Sequence, residues 1–401
     1  MKKQLHTKKR SHTFEYLIIN LFVFAGIGLL SFVVFNVSLL NQFTQAFKDF
    51  TLTDIYYTNG LDQNKIYDGP LVLINVENKD REKIAFLLQR LEEGKPKVIG
   101  MDIIFPDKKD SVGDETLKQT FARYNNIVLP YIASDGTMDE TRSNKFFQTK
   151  TTGFVNLYGE DKEYSTVRHY YPVINSVPAF TTAIMQMYDS SKASSLLKMG
   201  EHKTEIKYYG NLQNFTYKTV AEVMDPSFDP DTLLKGKIVL VGYMGRTDTS
   251  GSQLDEDRFF TPLNKRLSGR SLPDMYGCVL NANIIRMALE KDYIYAFPSW
   301  LNWVLAFSLS WVILPLFIKW WVHKAVWFHL YTMLLQLVVS MLFVFLTVLL
   351  YAKLNLKIES SAVLVSVLLL GDFILFYDSL IQYFKRKLNW KFHSKFFEGA
   401  H

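Results

Sequence analysis

Cysteine is almost absent from this sequence and histidine is rare in its middle, which limits the possible chemistry. The single cysteine, Cys278, excludes a disulfide within the chain. Residues 41–298 contain only His169 and His202, and no HExxH or GxSxG pattern occurs. A zinc site with several histidine or cysteine ligands and a Ser-His-Asp triad are therefore both disfavoured. We expect no catalytic residues, no bound metal, no cofactor and no enzymatic activity.

Long apolar runs are also missing from the middle of the chain, whereas four of them lie near its ends. The first run covers residues 16–40, and the others cover 300–318, 328–351 and 361–377. The first, with 25 residues, is long enough to cross a hydrocarbon core of about 30 Å, and the other three are also predicted to span the membrane. The first is too long for the apolar part of a cleaved signal peptide, which has roughly 7–15 residues. All seven tryptophans lie from Trp300 onward, mostly at the ends of the later runs, as is typical of membrane interfaces.

The positive charge of the chain indicates membrane topology rather than nucleic-acid binding. The net charge is +6, but the lysines and arginines concentrate in both terminal tails and near residue 320, which leaves the middle mildly acidic. Because cytoplasmic segments carry such an excess, we expect both termini in the cytoplasm and the central domain on the outer side of the membrane. The predicted divisions are a basic tail (1–15), the first transmembrane helix (16–40), the extracytoplasmic domain (41–298), transmembrane helices two to four (299–378) and a basic, lipid-contacting tail (379–401).

Within the central domain, short apolar runs alternate with amphipathic segments. Strands are predicted at 71–76, 98–105 and 127–131, and helices at 80–93 and 114–124. A later apolar run, 237–243, predicts another buried strand, and a hairpin is expected from 153–158 and 166–173. Alternating strands and helices favour parallel crossovers. The predicted fold is an α/β domain with a mixed, partly parallel sheet, plus four transmembrane helices, one N-terminal and three C-terminal.

Acidic residues follow two of the predicted strands, at the edge where α/β proteins bind ligands. Glu77 follows the first strand, Asp102 interrupts the second, and Asp107 follows it. These acids predict a site for a ligand or cation. Alternatively, Asp102 is a structural acid that accepts backbone N–H groups or pairs with Arg168 or Arg258. The oxygen-rich loop 248–257 fits either a hard cation or a solvated loop.

The last apolar run contains one acid, Asp372. Ionisable residues inside a membrane are costly and therefore suggest a function. A contact with another span or with a partner protein explains Asp372 better than proton transport does.

Four motifs occur in a characteristic order between the first span and the later ones: KVIGMDIIFPD (97–107), KIVLVGYMG (237–245), DRFFTPLN (257–264) and MYGCVLNANIIRMALE (275–290). With TVRHYYPVI around Arg168, they resemble the type-two CHASE family, the extracytoplasmic sensory domain of bacterial receptor kinases and cyclases. The resemblance implies a ligand site that adds Arg168, Arg258 and Asn281 to the acids above. Asn281 stands where the family has a histidine.

The family's last spans usually lead into a cytoplasmic effector domain, for which residues 379–401 are too few. We therefore expect a sensory subunit that binds a ligand or partner and relays to a separate effector protein. It could form homo-oligomers, and no nucleic acid is expected to bind. The alternative is an envelope scaffold that binds another protein constitutively and senses nothing.

Overall fold

The computed structural model describes residues 12–36, 51–59, 61, 65–109, 111–134, 140–147, 149–156, 166–245, 257–264 and 272–388. The chain divides into two compact units. One is the α/β domain, Asp54–Ile294, and the other is a helical unit that contains the residues on either side of it.

The described helices and strands are as follows. The helices are α1 (His12–Asn36), α2 (Asp54–Asn59), α3 (Arg81–Glu93), α4 (Ser111–Arg123), α5 (Phe180–Tyr188), α6 (Ser190–Met199), α7 (Val220–Met224), α8 (Pro230–Leu234), α9 (Gly277–Glu290), α10 (Ser299–His323), α11 (Phe328–Leu354) and α12 (Ser361–Leu388). The strands are β1 (Leu71–Asn75), β2 (Val98–Asp102), β3 (Ile127–Tyr131), β4 (Thr151–Phe154), β5 (His169–Tyr170), β6 (Val173–Ile174), β7 (Val177–Pro178), β8 (Thr204–Glu205), β9 (Tyr217–Thr219), β10 (Ile238–Gly242), β11 (Arg258–Phe259), β12 (Met275–Tyr276), β13 (Tyr295–Ala296) and β14 (Leu356–Lys357).

A six-stranded sheet forms the centre of the α/β domain. Its strand order is β4-β3-β2-β10-β1-β9, and every neighbouring pair is parallel. Strands β1, β3 and β10 are buried at every residue, as expected for parallel strands covered on both faces. The predicted α/β class is confirmed. The antiparallel pairs β5–β8, β6–β7 and β11–β12 lie outside this sheet.

Helices cover the two faces of the sheet. On one face, Ile99 and Met101 of β2 pack in a core with the apolar residues of α3 and α4. On the other face, Gly100 lies against Ile184 of α5, and Asp102 contacts α9. Because side chains alternate along a strand, Asp102 faces α9 while its neighbour Met101 faces α3 and α4.

Two details of the predicted sheet are wrong. Strand β2 ends at Asp102 rather than at Phe105, because the N–H of Ile103 bonds to the carbonyl of Met101 at 2.9 Å and turns the chain. The predicted hairpin does not form either. Strand β4 pairs in parallel with β3, and His169–Tyr170 pairs instead with β8.

A buried ion pair fixes the loop after β2 on the α3 and α4 face. Arg81 of α3 binds the carboxylate of Asp114 in α4 and also donates to the carbonyl of Asp107. Asp114 in turn accepts the N–H of Lys109 at 2.8 Å. The Arg81 guanidinium lies 4.9 Å from the centre of the Phe147 ring. These contacts hold the loop that follows Asp102 on the α3 and α4 face of the sheet, away from α9.

Among its described residues, the helical unit contains four helices that are long and apolar enough to cross a membrane: Thr13–Phe32, Ser299–His323, Phe328–Leu354 and Ser361–Lys387. The four predicted spans, one N-terminal and three C-terminal, are confirmed as apolar helices. Several polar side chains join them: Asn20 Nδ2 donates to the Phe307 carbonyl at 3.2 Å, and Gln336 Nε2 donates to the Leu368 carbonyl at 2.9 Å.

Replacing Asp114 by Asn should destabilise α3 and α4, because it leaves the Arg81 guanidinium buried without its counter-ion. Breaking a buried pair costs about 3–5 kcal/mol, and we expect the free energy of opening of these helices to fall by a similar amount. Hydrogen exchange of the full chain in nanodiscs measures this free energy of opening. The method suits the domain because it needs no tryptophan fluorescence, and the domain contains no tryptophan.

Glu115→Gln on the same helix is the matched control. Glu115 pairs with Lys118 at 3.4 Å on the surface, where ion pairs contribute about 0–1 kcal/mol. Equal effects of the two substitutions would contradict the role assigned to Arg81 and Asp114.

Candidate functional site

Three strand ends meet at the centre of the sheet edge. In the strand register, Gly242 of β10 stands between Asp102 of β2 and Asn75 of β1. These are the carboxyl ends of parallel strands, where α/β proteins place their ligands.

Asn75 closes one side of this edge. Its side chain is buried, and its Oδ1 accepts the N–H groups of Glu77 at 3.0 Å and Met244 at 2.9 Å. Its Nδ2 donates to the Gly245 carbonyl at 2.9 Å. One amide therefore fixes the loops after β1 and β10 relative to each other.

Helix α9 begins directly against the end of β10. A Cβ atom at Gly242 would lie 2.9 Å from Cys278 Sγ and 3.2 Å from Asp102 Cβ. The missing side chain therefore lets the first turn of α9 approach the strand. One turn further along α9, Asn281 Nδ2 donates to Asp102 Oδ2 at 3.1 Å.

A second acid, Asp257, lies at the start of the same helix. Its backbone has a positive φ of 65°, and its carbonyl accepts the Gly277 N–H at 3.2 Å. Both carboxylate oxygens lie 3.1 Å from the position that a Cβ at Gly277 would take. The next residue, Arg258, donates to the hydroxyl of Tyr276 and lies 4.5 Å from its ring centre.

The surroundings of the two carboxyl groups favour their protonated forms. Burial raises the pKa of Asp102 to about 6, although the hydrogen bond from Asn281 acts in the opposite direction. Burial and then the charge of Asp102 raise the pKa of Asp257 to about 7. Burial and both acids raise the pKa of the Cys278 thiol, which keeps it neutral. Among the described residues, neither carboxylate has a cationic partner.

The other predicted ligand residues lie apart from this cluster. Glu77 is at the same sheet edge, but it pairs with Lys79 at 2.8 Å. Asp107 is exposed in the loop held by Arg81. Arg168 forms a buried ion pair with Asp54 at 2.6 Å. The structure thus brings together Asp102, Arg258 and Asn281, and separates them from Asp107 and Arg168.

The alternative interpretation, that Asp102 pairs with Arg168 or Arg258, is wrong. Arg168 lies beside Asp54, Arg258 binds Tyr276, and the bond to Asp102 comes from the amide of Asn281. Sequence reasoning also missed Asp257 and Asn75 as members of the site. Asp257 was predicted only as the end of the oxygen-rich loop, of which residues 248–256 lie outside the described residues. Its position at the start of the DRFFTPLN motif was the available signal.

The domain also has a small cleft, whose lining includes neither Asp102 nor Asp257. Its volume is about 200 Å³, below the roughly 300–1,000 Å³ of drug-sized sites. Amide and aromatic side chains line it, including those of Tyr57, Tyr209, Asn211 and Asn264. In the part of the chain that the structure describes, no three His, Cys, Asp or Glu side chains are grouped for metal binding.

Comparison with known families identifies the domain. The CHASE2 domain model matches residues 29–318, which is most of the chain. The chain belongs to the CHASE2 family. The resemblance inferred from the motifs is therefore confirmed, and the match extends from within α1 to within α10.

Membership assigns a broad role and place to the protein. CHASE2 is an extracytoplasmic sensory domain, so the chain has a sensory or signalling role. The four apolar helices suggest that it is a membrane protein. No curated protein and no solved structure matches the chain.

The two raised pKa values predict that the CHASE2 domain loses stability as the pH rises. Above the ordinary pKa of about 4, an unfolded chain has released the protons that folded Asp102 and Asp257 still hold. Stability should therefore fall between about pH 4 and pH 7, in the direction that proton linkage requires. Among the described residues, the Cys278 thiol also lies at the cluster, and its raised pKa keeps it neutral in that range.

Hydrogen exchange of the first turns of α9 in the full chain, measured from pH 5 to pH 8 and corrected for the intrinsic rate, tests this. Asp102→Asn should flatten the pH dependence, whereas Asp107→Asn, which changes an exposed acid on the other face, should retain it. An unchanged slope in Asp102→Asn would show that these acids do not control the stability of the edge.

Proposed function

We propose that the protein is a sensory subunit that binds a cationic ligand at the Asp102–Asp257 cluster and relays this event to a separate effector protein. The observation that carries this proposal is the pair of neighbouring carboxylates, which have no cationic partner among the described residues. The family assignment supports the sensory role, and the cluster suggests the class of ligand.

A cationic ligand is favoured over a neutral one because burying two negatively charged carboxylates costs free energy. A carboxylate removed from water is costly unless it is protonated, paired or fully hydrogen-bonded. Among the described residues, Asp102 receives one hydrogen bond, from the amide of Asn281. The N-terminus of α9 stabilises nearby negative charge by about 0.3–1 kcal/mol. A divalent ion or an organic ammonium group could replace the proton and stabilise both carboxylates at once.

The position of the cluster suggests how binding could be transmitted. Cys278 and Asn281 both belong to α9, which is the last helix of the domain, and residues 291–298 join α9 to the span α10. A cation that draws Asp102 and Asp257 together would shift the start of α9. We propose that the spans carry this displacement to an effector in the membrane or cytoplasm, since a ligand changes an equilibrium only through such differential contacts.

The proposed placement follows the positive charge of the tails. Both termini would lie in the cytoplasm, the CHASE2 domain would face outward from a bacterial inner membrane, and the basic tail would contact anionic lipids. The chain would carry no catalytic activity of its own. In the alternative, an envelope scaffold, the same domain would hold a partner constitutively and would not respond to any small ligand.

Hydrogen exchange of the full chain in nanodiscs, at constant ionic strength, tests the ligand class with magnesium, calcium and spermidine as probes. We expect at least one probe to slow exchange in α9 and at the end of β2. At a concentration one hundred times its Kd, a ligand stabilises the folded state by about 2.7 kcal/mol.

Matched variants decide whether this cluster is the site. Asp102→Asn and Asp257→Asn should abolish the protection, while Asp107→Asn should leave it intact. No response to any probe, together with stoichiometric co-purification of an envelope protein, would favour the scaffold.

A further inference from the structure

Asp372 lies on the outer face of α12. The side of α12 that packs in the helical unit contains Val363, Val367, Leu370, Ile374, Tyr377 and Ile381. Asp372 is on the opposite side and is exposed. Among the described residues, its carboxylate has no hydrogen bond and no ion pair.

The position along the helix places Asp372 near the middle of the span. It is eleven residues from Ser361 and thirteen from Lys385, or about 16 Å and about 20 Å at the rise of an α-helix. The hydrocarbon core is about 30 Å thick. An acid at this depth that faced lipid would be costly, and such residues are normally covered by protein or pair with another polar group.

A second acid on the same helix shows how the protein satisfies such a group internally. Asp378 is buried, and its Oδ2 accepts from Trp321 Nε1 at 3.3 Å and from Gln382 Nε2 at 3.1 Å. Asn20 and Gln336 likewise bond to neighbouring helices. Asp372 therefore adds nothing to the contacts that hold the described spans together.

The residues around Asp372 form a continuous exposed stripe. They recur three or four positions apart, which places them on one face of the helix, and the stripe consists of Val365, Leu368, Asp372, Phe376, Ser379 and Tyr383. It covers more than half of α12 and has the spacing of a helix-binding surface.

We propose that this stripe binds a transmembrane helix of a different protein, and that this helix carries an arginine or lysine opposite Asp372. The negative charge of Asp372 indicates which kind of helix binds the stripe. The lysines and arginines of the described spans are Lys319, Lys353 and Lys385–Lys387, and all of them lie within the last two turns of their helices. The described spans of a second copy could therefore offer Asp372 no lysine or arginine at that depth.

This partner would contact the chain inside the membrane, so the inference does not depend on the ligand proposed for the outer domain. Its consequence is that the effector, or an adaptor to it, is an integral membrane protein. A cytoplasmic protein could not reach the middle of α12.

A synthetic helix tests the inference. The probe is a peptide of about 21 leucine and alanine residues, long enough to span the bilayer, with one central arginine and a dansyl acceptor. The donors are the native tryptophans, all of which lie from Trp300 onward. Energy transfer from the full chain to the peptide in neutral phosphatidylcholine vesicles measures their association.

We expect the arginine peptide to associate about tenfold more tightly than the same peptide with leucine or glutamate at its centre. Asp372→Asn and Asp372→Leu should remove this preference. Glu359→Gln is the matched control, because it removes one negative charge just before α12 and should leave the preference unchanged. The tryptophan emission of each variant, compared with that of the natural chain, shows that the helical unit is folded.

Three results would overturn the inference. One is equal association of the arginine and leucine peptides. Another is retention of the preference in Asp372→Leu. The third is self-association of the chain that competes with the peptide and is lost in Asp372→Leu, which would make the stripe an interface between two copies.

Discussion

The parallel direction of all six strands is the constraint on which the rest of the α/β domain depends. Because the strands run the same way, the chain leaves β1, β2 and β10 at one edge. At the centre of that edge, Gly242 has no side chain, so α9 can begin directly against β10. Asp102 and Asn75 are then brought to either side of one helix N-terminus, although they come from different parts of the chain.

The structural acids and the acids of the candidate site differ in whether a cationic side chain neutralises their charge. Asp114 and Asp54 are buried and each pairs with an arginine, so their charge is neutralised where it stabilises packing. Among the described residues, Asp102 instead receives a single amide bond, Asp257 faces a glycine Cα, and neither acid has a cationic partner. Carboxylates without a cationic partner, placed where strands end, fit ligand binding better than they fit stability.

The sequence could predict those features that depend on residues close together in the chain, and it could not predict most contacts between distant residues. Short apolar runs predicted β1, β3 and β10, because burial on both faces of a sheet leaves a local pattern in the sequence, and long apolar runs predicted the four spans. The partner of Arg168 could not be predicted, since Asp54 lies 114 residues away. Strand β4 was predicted to pair in a hairpin with the segment that follows it, whereas it pairs in parallel with β3, which precedes it. Asp257 reaches the site only through the chain reversal between β11 and β12, whereas Asn281 was found because a family motif preserves long-range information that spacing lacks.

The same distinction between satisfied and unsatisfied acids recurs in the spans. Asp378 is bonded within the helical unit, and Asp372 faces outward on a stripe that repeats with helical spacing. A carboxylate without a partner costs more free energy in a membrane than in water. Asp372 therefore requires a compensating contact. The proposed sensory role needs one surface that binds a ligand and another that contacts a partner protein. We propose the Asp102–Asp257 cluster for the first and the Asp372 stripe for the second, because each places an acid where no cationic side chain among the described residues neutralises it.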